Sequence, residues 1–166
     1  MFSLFKKKEK EEVYTNTTTA NDDEIVALGT GVLIPIEKVN DPTFAEKMMG
    51  DGIAFDLDDG LVVSPCNGSL DVAFPTGHAF GITRNDGVEI LIHIGINTVN
   101  ENGKGFTVLA KQGDKVKAGD PLVKVDLKAL SGKYDMTTML VITNPNEKEI
   151  SFIDCDHVER GQKISK

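Results

Sequence analysis

Residues 89–99 read EILIHIGINTV, and the alternation inside this stretch decides the fold. Successive side chains of a β-strand point to opposite faces, so Ile90, Ile92, Ile94 and Ile96 form one apolar stripe that belongs in a core. Glu89, Leu91, His93 and Gly95 then project from the other face. An ionisable ring set among isoleucines is thereby placed at a surface, with apolar Leu91 beside it.

Working outward, the chain from Ile25 onward consists of short β-branched runs separated by glycine, proline, asparagine and aspartate. Asp59-Gly60, Asn67-Gly68 and Asp86-Gly87 are turn pairs of this kind, and the whole sequence has 16 glycines. This rhythm predicts an all-β sandwich or barrel. Only DPTFAEKMM (41–49) and KALSG (128–132) suggest helical turns. GLVVSPCNGSLDVAF (60–74) and GDKVKAGDPLVKVD (113–126) look like two versions of one hairpin, as in a barrel-sandwich hybrid built by duplication.

A chain of 166 residues with 40% hydrophobic content supports one core and one domain. The formal net charge of −8 argues against nucleic acid and for a basic protein partner. Cys66 and Cys155 lack the number and spacing of a disulfide framework or a C-x-x-C metal site. With no secretory leader, a reducing cytoplasm is expected. The opening MFSLFKKKEKEE sets Phe2, Leu4 and Phe5 ahead of Lys6, Lys7, Lys8 and Lys10, an order wrong for a signal peptide but suited to an amphipathic contact with anionic lipid. Residues 1–24 are read as a flexible tail ending in a polar linker (TNTTTANDDE), and 25–166 as the folded domain.

A second histidine lies in FPTGHAFGI, where Phe74, Thr76, His78 and Phe80 share parity. The turn RNDG (84–87) folds the chain back, which makes residues 78–83 and 88–94 antiparallel neighbours and lets His78 meet His93. A neutral imidazole is a competent nucleophile near pH 7, and a second one can stabilise phosphoryl oxygens in a transition state. Each ring needs a partner to fix its tautomer. Thr76 suits His78, and the carbonyl of Gly95 suits His93.

These residues, with DPTFAEKMMGDGIAF, GKGF and GDKVKAGDPL in the same order and spacing, resemble the glucose-type enzyme IIA components of the bacterial phosphoenolpyruvate-dependent sugar phosphotransferase system. The resemblance implies that His93 takes a phosphoryl group from the carrier HPr and passes it to a cysteine of a permease IIB domain. It implies an all-β, antiparallel β-sandwich fold, supporting roles for His78, Thr76 and Gly95, and no required cofactor. It further implies a docking rim of Phe44, Met48, Met49, Phe74, Leu91 and Val99, and a carboxylate, Asp41, facing a carrier arginine. Members of this family also regulate transporters and metabolic enzymes or kinases, and some carry a membrane-associating N-terminal tail. Three positions depart from the family pattern. Asn97 replaces a common aspartate, so weaker carrier docking is expected, and together with Thr43 in place of an apolar residue and Lys104 in place of a frequent glutamate it implies altered partner preferences.

Two rival readings follow from the same residues. A zinc hydrolase of related β architecture also pairs histidines, although catalytic zinc takes three protein ligands and the H-x-x-x-D and H-x-H spacings are missing. His78 and His93 alone would hold zinc adventitiously or with a partner's carboxylate, and His157 is expected to be solvated. A biotinyl or lipoyl carrier needs a lysine in an E-x-M-K-M-like hairpin tip, which this sequence lacks. The residues do not name the sugar, and monomer is the expected state for a protein that presents one face to successive partners.

Overall fold

A computed structural model describes residues 13–166. The amphipathic segment around Phe2 and Lys6 lies outside the described residues. The strands are β1 (Gly31–Pro35), β2 (Asp51–Leu57), β3 (Leu61–Val63), β4 (Gly68–Ala73), β5 (Ala79–Arg84), β6 (Glu89–Ile94), β7 (Phe106–Val108), β8 (Lys115–Val116), β9 (Pro121–Val125), β10 (Thr138–Asn144) and β11 (His157–Val158). Two short helices, α1 (Pro42–Ala45) and α2 (Leu127–Leu130), fall where helical turns were expected. The 3-10 turns Ile36–Lys38 and Thr98–Glu101 carry no such signal in the sequence.

An eight-stranded sheet in the order β11-β1-β2-β10-β6-β5-β4-β8 packs on a three-stranded sheet in the order β3-β9-β7, with every pairing antiparallel. This is the expected sandwich. The two similar stretches do not each fold on themselves; they clasp one another, β3 pairing with β9 and β4 with β8. Their turns interlock through Ser64 N–H donating to the Asp120 carbonyl and Gly119 N–H donating to the Ser64 carbonyl, both at 2.8 Å.

The core between the sheets contains Ile90, Ile92 and Ile94 of β6 together with Phe55, Phe80, Leu122 and Leu140. Burying an isoleucine contributes about 1.5–3 kcal/mol, and a one-residue slip of β6 would turn all three of these side chains outward. The isoleucines therefore fix the register that presents His93. Ile96 departs from the expected stripe. Gly95 has φ +77°, the chain bends there, and Ile96 joins a second cluster with Ile36, Val39, Phe44, Ala54, Met139 and Val141. That cluster caps the outer face of β1, β2 and β10 and leaves β6, β5 and β4 open.

The polar stretch before Ile25 is tied to the body at several points. The Tyr14 hydroxyl donates to the Gly119 carbonyl at 2.8 Å, Asn16 Nδ2 to the Ala118 carbonyl at 3.0 Å, and Asn67 Nδ2 to the Ala20 carbonyl at 2.8 Å. Side-chain amides here replace the backbone ladder that a strand would have supplied. Cys66 is buried, Cys155 is exposed, and both are free thiols. Among the described residues no helix is long and apolar enough to cross a membrane.

Candidate functional site

The hairpin β5–β6 turns through Arg84 and Val88, and its register sets Ala79 opposite His93. The Ile94 N–H donates to the His78 carbonyl at 2.7 Å, which extends the pairing one residue further and locks the two histidine-bearing segments together. The imidazole centroids lie 5.3 Å apart, with the rings steeply inclined at 80°.

Each ring is pinned through Nδ1. His93 Nδ1 lies 2.9 Å from the Gly95 carbonyl oxygen. A carbonyl only accepts, so Nδ1 carries the proton and Nε2 keeps a free lone pair. His78 Nδ1 lies 2.6 Å from the Thr76 hydroxyl. When that hydroxyl donates, His78 Nε2 bears the proton and becomes a donor. The pair then offers one nucleophilic nitrogen and one N–H, the complementary set required for handling a phosphoryl group.

Glycine is required at the two bends that shape the site. A Cβ at Gly95 would stand 2.4 Å from Thr98 Cγ2 and 3.0 Å from Met136 Sδ, and φ +77° disfavours side chains there. Gly77, at φ +74°, closes the turn that begins at Phe74, and a Cβ there would lie 2.8 Å from Phe106 Cβ. This turn breaks the expected parity of 74–80. Phe80 enters the core, and the two rings are flanked by Phe74, 5.3 Å from His78, and Phe44, 5.2 Å from His93.

Burial lowers the pKa of both histidines. At His93 it prevails over the upward pull of the Gly95 carbonyl and the Asp41 charge. At His78 the positive charge of a protonated His93 adds to the effect of burial. Both rings are thus neutral at pH 7, as a nucleophile and a neutral donor need to be.

Met48 is 72% exposed, Val99 49%, Phe74 42% and Met49 41%, the exposure that a docking rim would require. Leu91 is half-buried between them and the second cluster. Phe44 does not belong to that rim. It is 5% exposed and lies beside the His93 ring as part of the second cluster. Asp41 caps α1, accepting from the Thr43 N–H at 3.0 Å. Asn97 is exposed and holds a left-handed backbone, φ 61° and ψ 18°, a conformation that asparagine tolerates better than most residues.

Thr98 is a residue that the sequence did not single out. It is fully buried and its hydroxyl donates to the Ile94 carbonyl, fixing the bend that aims the Gly95 carbonyl at His93. A threonine four residues after Ile94 in an irregular bend carries no periodic signal. His157 lies on β11, where its Nε2 meets Asp58 Oδ2 at 2.7 Å.

The zinc hydrolase reading finds no support. Among the described residues no group of three or more histidine, cysteine, aspartate or glutamate side chains is placed to hold a metal, whereas catalytic zinc takes three protein ligands.

Residues 23–148 match the family described as "phosphoenolpyruvate-dependent sugar phosphotransferase system, EIIA 1". A glucose-specific EIIA component from Halalkalibacterium halodurans is 48% identical over 145 residues, covering 87% of this chain and 81% of that protein. A glucose-specific EIICBA component from Staphylococcus carnosus is 40% identical, covering 93% of this chain, which spans 24% of that longer protein. The solved structure of glucose permease IIA from Mycoplasma capricolum superposes with a TM-score of 0.82 at 35% identity, covering 93% of this chain and 98% of the other. The chain therefore belongs to the EIIA 1 family of the phosphoenolpyruvate-dependent sugar phosphotransferase system, and it is a phosphoryl carrier of that system.

Proposed function

We propose that His93 is the phosphoryl acceptor and His78 its supporting donor, and that the carried phosphoryl moves from phospho-HPr to the IIB cysteine of a sugar permease in the cytoplasm. The observation that carries this reading is the His93 Nδ1 bond to the Gly95 carbonyl, which frees Nε2 as the attacking atom. In the first step the Nε2 lone pair forms a P–N bond while the donor's P–N bond breaks, and the donor histidine keeps the electron pair. In the second step a IIB thiolate forms a P–S bond and His93 Nε2 recovers its lone pair. His78 donates an N–H to the phosphoryl oxygens throughout, and Thr76 holds that ring in the donating tautomer.

Met48, Met49, Phe74, Leu91 and Val99 would exclude water from both encounters, and Asp41 would meet a cationic side chain of the carrier. The names of the relatives favour glucose as the sugar served. The same open face would serve regulatory contacts with transporters or kinases, and Phe2, Leu4, Phe5 and the adjoining lysines would add peripheral membrane contact. Zinc would bind His78 and His93 only with a further ligand from a partner.

Incubation with phosphoenolpyruvate, enzyme I and HPr tests the reading through an acid-labile phosphoryl group. Wild type is labelled and His93→Gln is not; equal labelling of the two, or none of wild type, overturns it. His78→Gln should accept phosphate and pass it to the IIB domain roughly 100-fold more slowly, the usual scale for losing one transition-state donor.

A further inference from the structure

The bend that aims the Gly95 carbonyl at His93 is braced by a second segment, residues 133–137, between α2 and β10. The ladder of β6 and β10 ends with Ile94 opposite Thr138. Beyond that pair the contact continues irregularly, the Gly95 N–H donating to the Thr137 carbonyl at 3.1 Å and the Ile96 N–H to the Asp135 carbonyl at 2.8 Å. Met136, between those two carbonyls in sequence, lies against Gly95.

The far end of the bend carries a side-chain cluster that the histidines do not account for. Glu101 closes the 3-10 turn Thr98–Glu101, and its side chain is 11% exposed. Its Oε2 accepts from the Tyr134 hydroxyl at 2.7 Å and its Oε1 from Lys133 Nζ at 3.0 Å. The Tyr134 ring packs against the main core, so its hydroxyl is a fixed point, whereas Lys133 is 63% exposed at the end of a long stem. A carboxylate this short of water needs protein donors, and bonds to a charged acceptor are the strong ones. The turn's own closure is longer, with the Asn102 N–H 3.2 Å from the Val99 carbonyl and the Lys104 N–H 3.2 Å from the Glu101 carbonyl.

The same segment therefore grips the bend at both ends: at Gly95 and Ile96 through its backbone, and at Glu101 through Tyr134. Resting on the reading of His93 as acceptor, we propose that Glu101 and Tyr134 form a clamp that positions the Gly95 carbonyl, and through it the His93 tautomer, for phosphoryl transfer. Both are positioning residues that act through the backbone of the bend. A carbonyl displaced by about 1 Å would leave His93 Nδ1–H without its acceptor, and the ring would then also populate the tautomer protonated at Nε2, which has no lone pair for the attack.

The test compares full-length variants in two measurements, nitrogen NMR of the imidazole rings in unphosphorylated protein and the rate of labelling from phospho-HPr. Tyr134→Phe keeps the ring in the core and removes the hydroxyl; it should draw the Nδ1 and Nε2 shifts of His93 together and slow labelling about 5- to 10-fold. Glu101→Ala should do the same. Glu101→Gln still offers Tyr134 an oxygen, and should keep the wild-type shifts and a rate within about twofold of wild type. Lys133→Ala removes an exposed ion pair and should also stay within about twofold. Because one bond carries the effect, Tyr134→Phe should add no further loss in the Glu101→Ala background. A thermal melt of each variant gives the folded fraction to which its rate is normalised.

The proposal is overturned if Tyr134→Phe keeps the wild-type shifts and rate, if Glu101→Gln or Lys133→Ala loses as much as Glu101→Ala, or if the two losses multiply in the double variant. Labelling of His93→Gln at the wild-type rate would instead remove the reading on which it rests, while the nitrogen shifts would still report whether the clamp holds the ring, so the two failures are distinguishable.

Discussion

His93 Nδ1 and the Gly95 carbonyl oxygen, 2.9 Å apart, join a side chain to the backbone two residues further on. That contact exists because Gly95 takes φ +77° and because Thr98 and Met136 pack against its Cα. Gly95→Ala should therefore act twice. The added methyl, 2.4 Å from Thr98 Cγ2, and the left-handed backbone together should destabilise the fold by about 1–3 kcal/mol, read from urea denaturation. The displaced carbonyl should also release the His93 tautomer, so that labelling falls by more than the loss of folded protein accounts for.

Phe44 and Met48 separate burial from docking. Phe44→Ala removes a ring that is 5% exposed from the second cluster and should cost about 3–5 kcal/mol in a denaturant titration. Met48→Ala removes a side chain that is 72% exposed; its stability should stay within about 0.5 kcal/mol while KM for phospho-HPr rises. Comparable destabilisation by the two substitutions would contradict the division between cluster and rim.

Acid should weaken the histidine pair. The folded-state pKa of both His78 and His93 lies below the ordinary value of about 6.5, so on acidification the unfolded chain takes up protons first. The stability that the neutral rings contribute is whole above pH 6.5 and is lost as pH falls through their lower folded values. His157 acts in the opposite sense, because its bond to Asp58 raises its pKa and its contribution fades as pH rises. Between pH 7 and 5 the melting temperature of wild type should fall more steeply than that of the His78→Gln, His93→Gln double variant. The labelling rate should hold through pH 6.5 and decline only below it.

Thr76 should matter through His78. Thr76→Val removes the 2.6 Å contact to Nδ1 at nearly constant volume, leaving the ring free to protonate Nδ1 and to present an acceptor at Nε2. Phosphate acceptance should persist, onward transfer to the IIB domain should fall about tenfold or more, and Thr76→Ser should restore it. No rescue by serine would remove the hydroxyl from the mechanism.

The parts of this protein that were legible in the sequence are those with a short period. Alternation along 89–94 set the strand, its faces and its neighbour in β5, and these placed His78 against His93. Irregular backbone was not legible. The left-handed bend at Gly95 sent Ile96 to another cluster, the turn at Gly77 put Phe80 in the core, and the bulge at Asp71 shifted the register of β4 against β5. Each is a one-residue interruption, too short to change a pattern yet enough to redirect every side chain after it. Phe44 was misread for a different reason, since an aromatic residue on a short helix has the same local signature whether it faces solvent or a neighbouring ring.

Asn97 was singled out as a missing charge, and its backbone gives it a second role. At φ 61° it begins the 3-10 turn that carries Thr98, the residue that anchors the bend at Gly95. Asn97→Val should destabilise the protein by about 1–2 kcal/mol, because a β-branched side chain is strained in the left-handed region, whereas Asn97→Gly should be close to neutral. Asn97→Asp keeps a short polar side chain that the conformation tolerates and adds a carboxylate to the docking face. It should leave the melting temperature nearly unchanged and raise kcat/KM for phospho-HPr by up to about fivefold at low salt, with no gain at high salt. A fivefold gain that survives high salt would assign position 97 a role in orienting the carrier rather than in attracting it.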